Sequence, residues 1–295
     1  MVGRRIMMRR SLGERIYGVF NTFALVLIAL VTLYPFMYVV FASVSNPIKL
    51  LQSPGLLLLP AGLDFSAYAK VFKNSSILTG YMNTIFYVVV GTSVNILCTS
   101  MAAYVLSRRG LMLRRFFTLM FIFTMYFSGG LIPNYLLMQD LNLIDNRLVL
   151  ILPGAVSTYY LMIMITGFSD IPPSLEESAK IDGAGEWTIL FKIMLPLAKP
   201  IIMVNLLFYA VAHWNSWFNA MIYIRDADKQ PLQLFLRNIL MRTQLGMMAG
   251  NLDMEDTGTT IKYATIVVST VPVLCIYPFI QKHFVTGIMV GAVKE

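Results

Sequence analysis

Six apolar stretches dominate this chain, and none of them contains an Asp, Glu, Lys or Arg. They lie at 16–43, 81–106, 116–136, 148–168, 200–222 and 263–281. A helix needs about 20 apolar residues to cross the hydrocarbon core of a bilayer. In lipid every backbone polar group must be satisfied internally, so the predicted fold class is an all-α integral membrane protein with six transmembrane helices. Composition agrees, with 57% hydrophobic and 13% charged residues where a soluble domain carries about 25% charged residues.

Positive charge orients these spans. With the N-terminus inside, the segments 1–15, 107–115, 169–199 and 282–295 carry fourteen Lys and Arg, against nine in the longer external segments 44–80, 137–147 and 223–262. The excess is greatest in the N-terminal tail and in Arg108, Arg109, Arg114 and Arg115, the bias expected of cytoplasmic loops. The first stretch exceeds a signal-peptide core and lacks a small-x-small cleavage site, so it reads as a retained span. This divides the chain into a cytoplasmic N-terminal tail 1–15, a first helix 16–43, an external loop 44–80, a five-helix core 81–284 and a C-terminal tail 285–295. Cys98 and Cys275 fall inside apolar runs and read as small buried hydrophobes.

Ion-coupled carriers keep ionisable groups at membrane depth as relays and ion sites. The six spans hold none, which argues against proton symport and voltage sensing. Energy must then enter from outside the spans, and segment 169–199 is where the sequence offers an entry point. Ser174 with Glu177 reads as a capping box after Pro172 and Pro173. Leu175, Ala179 and Ile181 give a short helix an apolar side, and Gly183 ends it. A second helix follows from Glu186, with Trp187, Leu190, Phe191 and Met194 at i, i+3, i+4 and i+7, until Pro196. Five acids stand against three bases here, a poor match for an anionic inner leaflet and a better one for a protein partner.

Glu177, Ala179, Gly183, Ile193, Leu195 and Pro196 resemble, at their spacing, the Glu-Ala-Ala-x3-Gly-x9-Ile-x-Leu-Pro signature (the EAA motif) of ABC importer permease subunits. Ser178 replaces the first alanine, a residue nearly as small. Asp182-Gly183-Ala184, the Ser128-to-Pro133 turn, the Trp214-to-Asn219 run and the Gln281-to-Lys294 tail resemble the carbohydrate-uptake (MalG-type, LplC-like) branch over about residues 16–295. The resemblance implies a type-I permease architecture in the bacterial plasma (inner) membrane, with both termini cytoplasmic. It makes 169–199 the coupling loop, with Glu177, Ser178, Ala179, Asp182, Gly183, Ala184, Ile193, Leu195 and Pro196 facing a separate ATPase, which tail residues 285–295 also reach. The implied partners are a second permease subunit in a heterodimer, two ABC ATPase subunits and an extracytoplasmic solute-binding protein. ATP and Mg are then bound by the ATPase, and this chain, which has no Gly-Lys dipeptide for a phosphate loop, is a transport subunit rather than an enzyme. No metal site is expected, since His213 and His283 stand apart.

A sugar path calls for aromatic platforms and amide or hydroxyl partners. Asn83, Tyr87, Asn205, Tyr209, Trp214, Asn215 and Asn219 are the candidates, with Ser93, Asn95 and His213 nearby. The same residue types also serve as interhelical hydrogen bonds. The Met-rich loop 223–262 reads either as a connector or as a contact surface for the binding protein, and its Arg225, Lys229, Arg237 and Arg242 would suit an acidic, uronate-type oligosaccharide. An ion-coupled secondary sugar transporter is the alternative.

Overall fold

A computed structural model describes residues 12–52, 55–108, 110–248 and 260–275. Among them no strand forms, and the β contact present is an isolated bridge between Ser45 and Leu63. The chain divides into two compact units, one drawn from Met1–Val71 and Leu245–Val267, the other from Phe72–Gln244 and Val268–Glu295.

The first unit is built on α1 (Leu12–Ser43), 32 residues long. From Ile16 onward this helix is apolar on all sides, and its large side chains are exposed among the described residues, the pattern of a helix meant for a membrane. Its C-terminal end is anchored. Ala42, Leu50 and Leu57 form a small core with Tyr38 and Tyr263 against it. The Tyr34 hydroxyl accepts a bond from Leu57 N–H at 3.1 Å, and the hydroxyls of Ser43 and Tyr68 meet at 2.8 Å.

The second unit is organised by α2 (Ser75–Ser107), a helix of 33 residues. Asn74 starts it, its side chain accepting from Ser76 N–H at 3.0 Å. A π-helical turn at Tyr87–Gly91 interrupts the α geometry. The His213 ring lies against this turn: a Cβ on Gly91 would lie 2.5 Å from two of its atoms, so a larger residue there would have to displace the ring. Two cores flank the helix. Ala103, Tyr104 and Leu106 pack with Leu161, Met164, Phe168, Ile189 and Met194 near one end. Tyr87 packs with Val149, Ile151, Ala220, Ile224 and Leu234 toward the other.

Six uninterrupted spans are not what the helices display. Ile16–Ser43 and Ser75–Ser107 are each long and apolar enough to cross a bilayer, and the total rises to four if two bent pairs count as spans. The predicted 116–136 span is α3 (Arg114–Tyr126) and α4 (Leu131–Asp140), bent by 113°. The break falls at Gly129-Gly130, with Gly130 at φ +91°, a conformation that stops a helix and that glycine adopts freely. The predicted 148–168 span is helical only as α5 (Thr158–Ser169), because the chain runs as a 3-10 turn and irregular backbone through 147–157. The 200–222 span ends its first helix at Trp214 and resumes at Phe218–Tyr223. Of the 263–281 span, Thr260–Cys275 is helical, while its remainder and the tail 285–295 lie outside the described residues.

Candidate functional site

The loop after α5 folds as the sequence predicts in outline, with two corrections. Pro173–Ile181 is a helix, α6, and Glu186–Leu197 a second, α7, joined through Asp182-Gly183. The stop is a Schellman motif. Ala184 N–H donates to Ala179 C=O at 2.9 Å and Gly183 N–H to Lys180 C=O at 3.1 Å, which satisfies carbonyls the helix end would orphan. Gly183 sits at φ +81° with open space around its α-carbon, so backbone conformation alone demands glycine. The spacing from Ala179 to Gly183 is thus the geometry of a helix end: the alanine is buried beneath it and the glycine turns the chain.

The capping box is the first correction. The N-cap position is Pro172, Pro173 is the first helical residue, and no side chain caps the helix. Two consecutive prolines leave fewer amide hydrogens to cap and push Ser174 inside the first turn. The second correction concerns apolar faces. Leu175 and Ile181 point outward, with Ile181 87% exposed, while Ala179 alone is buried on α6. In α7 the segment Ile189–Met194 is π-helical, so Ile189 joins Leu190 and Met194 in the core while Trp187 and Phe191 stack on each other at 6.1 Å in the open. Glu177, Ser178, Asp182, Gly183 and Pro196 are also exposed, whereas Ala184, Ile193 and Leu195 pack partly against the core.

The loop is fastened by a charged cluster that sequence reading missed. Arg108, just past the end of α2, forms an ion pair with Glu176, and the Tyr104 hydroxyl donates to Glu186. Lys180 bridges the two carboxylates, 2.8 Å from Glu176 and 2.9 Å from Glu186. The Arg108 guanidinium also lies 5.0 Å over the Tyr104 ring. The Glu176 and Glu186 partners raise the Lys180 pKa above its ordinary value, and the Tyr104 hydroxyl, then Lys180, lower that of Glu186. Glu176 is 11% exposed in its side chain, while its neighbour Glu177 faces outward. One residue of helix rotates the carboxylate by about 100°, and that rotation separates the inward acid from the outward one. The cluster walls an open cleft of about 1050 Å³ that also includes Arg114, Phe168 and Trp187.

The proposed sugar-path residues are brought near one another only in part. Asn83 and Tyr87 hold the 226–232 segment: Asn83 Nδ2 donates to the carbonyls of Asp228 at 2.7 Å and Gln230 at 3.1 Å, and the Tyr87 hydroxyl to that of Lys229 at 2.7 Å. Tyr209 accepts from Ser157 N–H at 2.9 Å and pairs with Thr99 at 2.8 Å. Asn95 donates to the Gly154 and Ala155 carbonyls at 2.6 and 3.0 Å and meets His213 at 2.6 Å. These side chains satisfy the non-helical backbone of 151–157, the condition for irregular chain at membrane depth. Trp214 is buried with its ring edge-on to Tyr81, Asn205 is fully buried with no hydrogen-bond partner for its amide among the described residues, and Asn215 and Asn219 are exposed.

The 223–262 loop is not a plain connector, since Leu232–Met248 is a helix, α9 in sequence after α8 (Lys199–Trp214) and the short Phe218–Tyr223 turn of helix. Of its basic residues, Arg225, Lys229 and Arg237 are engaged and Arg242 is exposed. Lys229 pairs with Asp145 and Asp226 at 3.3 Å each, Arg225 donates to the Tyr135 hydroxyl at 3.2 Å, and Arg237 lies 4.6 Å over Trp217. The bond from Asp226 N–H, with help from Lys229, holds the Asp145 carboxyl below its ordinary pKa.

Residues 65–290 match the family described as binding-protein-dependent transport system inner membrane component. The chain is 41% identical over 295 residues to the polygalacturonan/rhamnogalacturonan transport system permease protein YtcP of Bacillus subtilis, covering 98% of this chain and all of that one. It is 38% identical to protein LplC of the same organism, covering 97% and 98%. A crystal structure of a bacterial ABC transporter that imports the acidic polysaccharide alginate contains a chain 36% identical, with a TM-score of 0.86, covering 94% of this chain and all of that one.

Proposed function

Because the chain belongs to the family of inner-membrane components of binding-protein-dependent transport systems, we propose that it is the permease subunit of an ATP-driven importer of acidic oligosaccharides and that loop 169–199 receives a separate ATPase. The observation that carries the coupling role is the exposed apolar set on that loop. Leu175, Ile181, Trp187 and Phe191 stand outward on two short helices whose inner faces are locked into the core. Exposed aromatic and aliphatic groups on a rigid mount are what a protein partner buries. Glu177 and Asp182, exposed beside them, supply charge at the rim.

In this reading the chain crosses the membrane six times, at α1, α2, the broken α3–α4 pair, α5, the 200–222 stretch that begins in α8, and the 263–281 stretch, with both termini and 169–199 cytoplasmic and 223–262 facing the binding protein. The domain boundaries 1–15, 16–43, 44–80, 81–284 and 285–295 follow from that topology. A second permease covers the bare face of α1, two ATPase chains bind ATP and Mg, and tail 285–295 adds a further ATPase contact. Galacturonan- and alginate-transporting relatives support an acidic cargo. Arg225, bonded to a tyrosine hydroxyl, Arg237, over a tryptophan ring, and the exposed Arg242 are basic residues of the external loop with charge to offer it.

The test is ATP hydrolysis by the reconstituted complex with its binding protein, measured with a galacturonate trimer, an alginate pentasaccharide and the neutral maltotriose. Acidic sugars are expected to stimulate hydrolysis and be taken up; stimulation by maltotriose alone removes the acidic-cargo claim. Deleting 175–183, or Gly183→Pro, is expected to abolish uptake while the chain still inserts. Normal uptake by either variant removes the coupling role.

A further inference from the structure

We propose that α2 is a rod carrying nucleotide-driven movement of loop 169–199 to the 226–232 segment at its other end, an inference that rests on the permease reading above. Chain connectivity attaches loop 169–199 to α5 and α8 alone. Its side chains attach it to α2 as well, through Arg108 to Glu176 and Tyr104 to Glu186. The far half of the same helix is fastened to 226–232 by Asn83 and Tyr87, and by Thr84, whose hydroxyl accepts from Leu232 N–H at 2.9 Å.

Asn83 and Tyr104 are 21 residues apart in one helix, about 32 Å at the ordinary rise. A helix does not lengthen or shorten appreciably, so a displacement at one bonded end moves the other or breaks the bonds there. The bonds at the 226–232 end go to backbone groups, which fixes the path of the segment rather than one side chain. The bonds at the 169–199 end are the Arg108–Glu176 ion pair and the Tyr104–Glu186 hydrogen bond, added to the core packing of Tyr104 and Leu106 against Ile189 and Met194, and reversing one sign sets a repulsion against that packing. A helix bonded at both ends is a physical connection of the kind that long-range coupling requires, and by linkage it works in both directions.

The rod is tested without reference to any sugar. In the full complex in proteoliposomes, Cys98 and Cys275 are replaced by serine and Ala227→Cys is added, Ala227 being exposed on the 226–232 segment. The maleimide labelling rate of that cysteine is measured with and without trapping by ATP and vanadate. Trapping is expected to change the rate by about fivefold, the lower end of ordinary coupling between sites. Arg108→Glu and Glu176→Arg are each expected to remove the change while ATP hydrolysis persists, and the two together to restore it. If the single reversals prevent assembly, Arg108→Gln and Tyr104→Phe are expected to reduce the change. No change on trapping, single variants that respond fully, or an assembled double variant that does not respond each overturn the rod. Gly183→Pro separates the two readings: if it abolishes the response while Arg108→Glu does not, the rod fails and the coupling role stands. If it leaves the response intact, the coupling role fails too.

Discussion

Loop 169–199 and segment 226–232 are both held by α2, but by opposite chemistry. At Tyr104 and Arg108 the attachment is side chain to side chain and charged, with Lys180 shared between two carboxylates. At Asn83, Thr84 and Tyr87 it is neutral side chain to backbone, and largely buried. The charged cluster is split between interior and solvent: Arg108 and Glu176 are 20% and 11% exposed, so breaking their pair strands a charge, whereas Lys180 and Glu186 reach solvent, which can replace what they lose. A buried amide whose partners are main-chain groups has no such substitute, and removing it strands each of them. The loop offered to an ATPase is therefore held to α2 by core packing and by charge together, and the opposite segment by buried bonds to its main chain.

The largest effect is expected from the neutral end. Asn83→Leu strands the carbonyls of Asp228 and Gln230 and the Arg147 donor that now sits 2.9 Å from the amide oxygen, a loss of about 1–3 kcal/mol per unsatisfied buried group. Thermal melting of the detergent-solubilised complex should fall, and hydrogen exchange should rise in 226–232 while 173–197 stays protected. Exchange rising equally in both segments would break the contrast. Gly183→Ala forces a Cβ onto the left-handed turn, a cost of about 1–2 kcal/mol, read as faster exchange at the Gly183 and Ala184 amides. Glu176→Gln keeps the shape of the ion pair and removes its charge. The Lys180 partner is about half exposed but the Arg108 partner is mostly buried, so the stability loss should exceed the roughly 1 kcal/mol of a surface pair, with a further effect in the coupling of transport to hydrolysis.

The smallest effect is expected from pH. A carboxyl with a lowered folded pKa contributes stability that is present above its unfolded value and lost as pH falls through the folded one. Glu186 and Asp145 are both lowered, and unperturbed carboxyls titrate near about 4. Lys180 and Lys229 are raised by those same acids, so their contribution is lost only in strong alkali. Melting should therefore be flat between pH 6 and 8 at both ends of α2, and should drop only below about pH 4. A transition near neutrality would mean that some other group controls the attachments.

Much of this was legible in the sequence for reasons that are local. An apolar run without charge fixes a membrane environment wherever its helices go, and α1 and α2 needed nothing more. The Ala179–Gly183 spacing and the prolines around 196 are backbone chemistry, so the helix, its stop and the second helix appear in the order read from the residues. The tertiary structure decided what depended on distant partners. The break at 151–157 sits inside a run that looks continuous, because Asn95 and Tyr209, remote in sequence, satisfy the backbone that such a break would orphan. The π turns at 87–91 and 189–194 changed which side chains face inward, and no periodicity announces them. Arg108 read as one more orienting charge and Tyr104 as one more apolar position, since their meaning lies in Glu176 and Glu186, some 68 and 82 residues further along the chain. Hydrophobicity and turn chemistry act through neighbours and are written locally; hydrogen bonds and ion pairs between helices need a partner, and only folding supplies it.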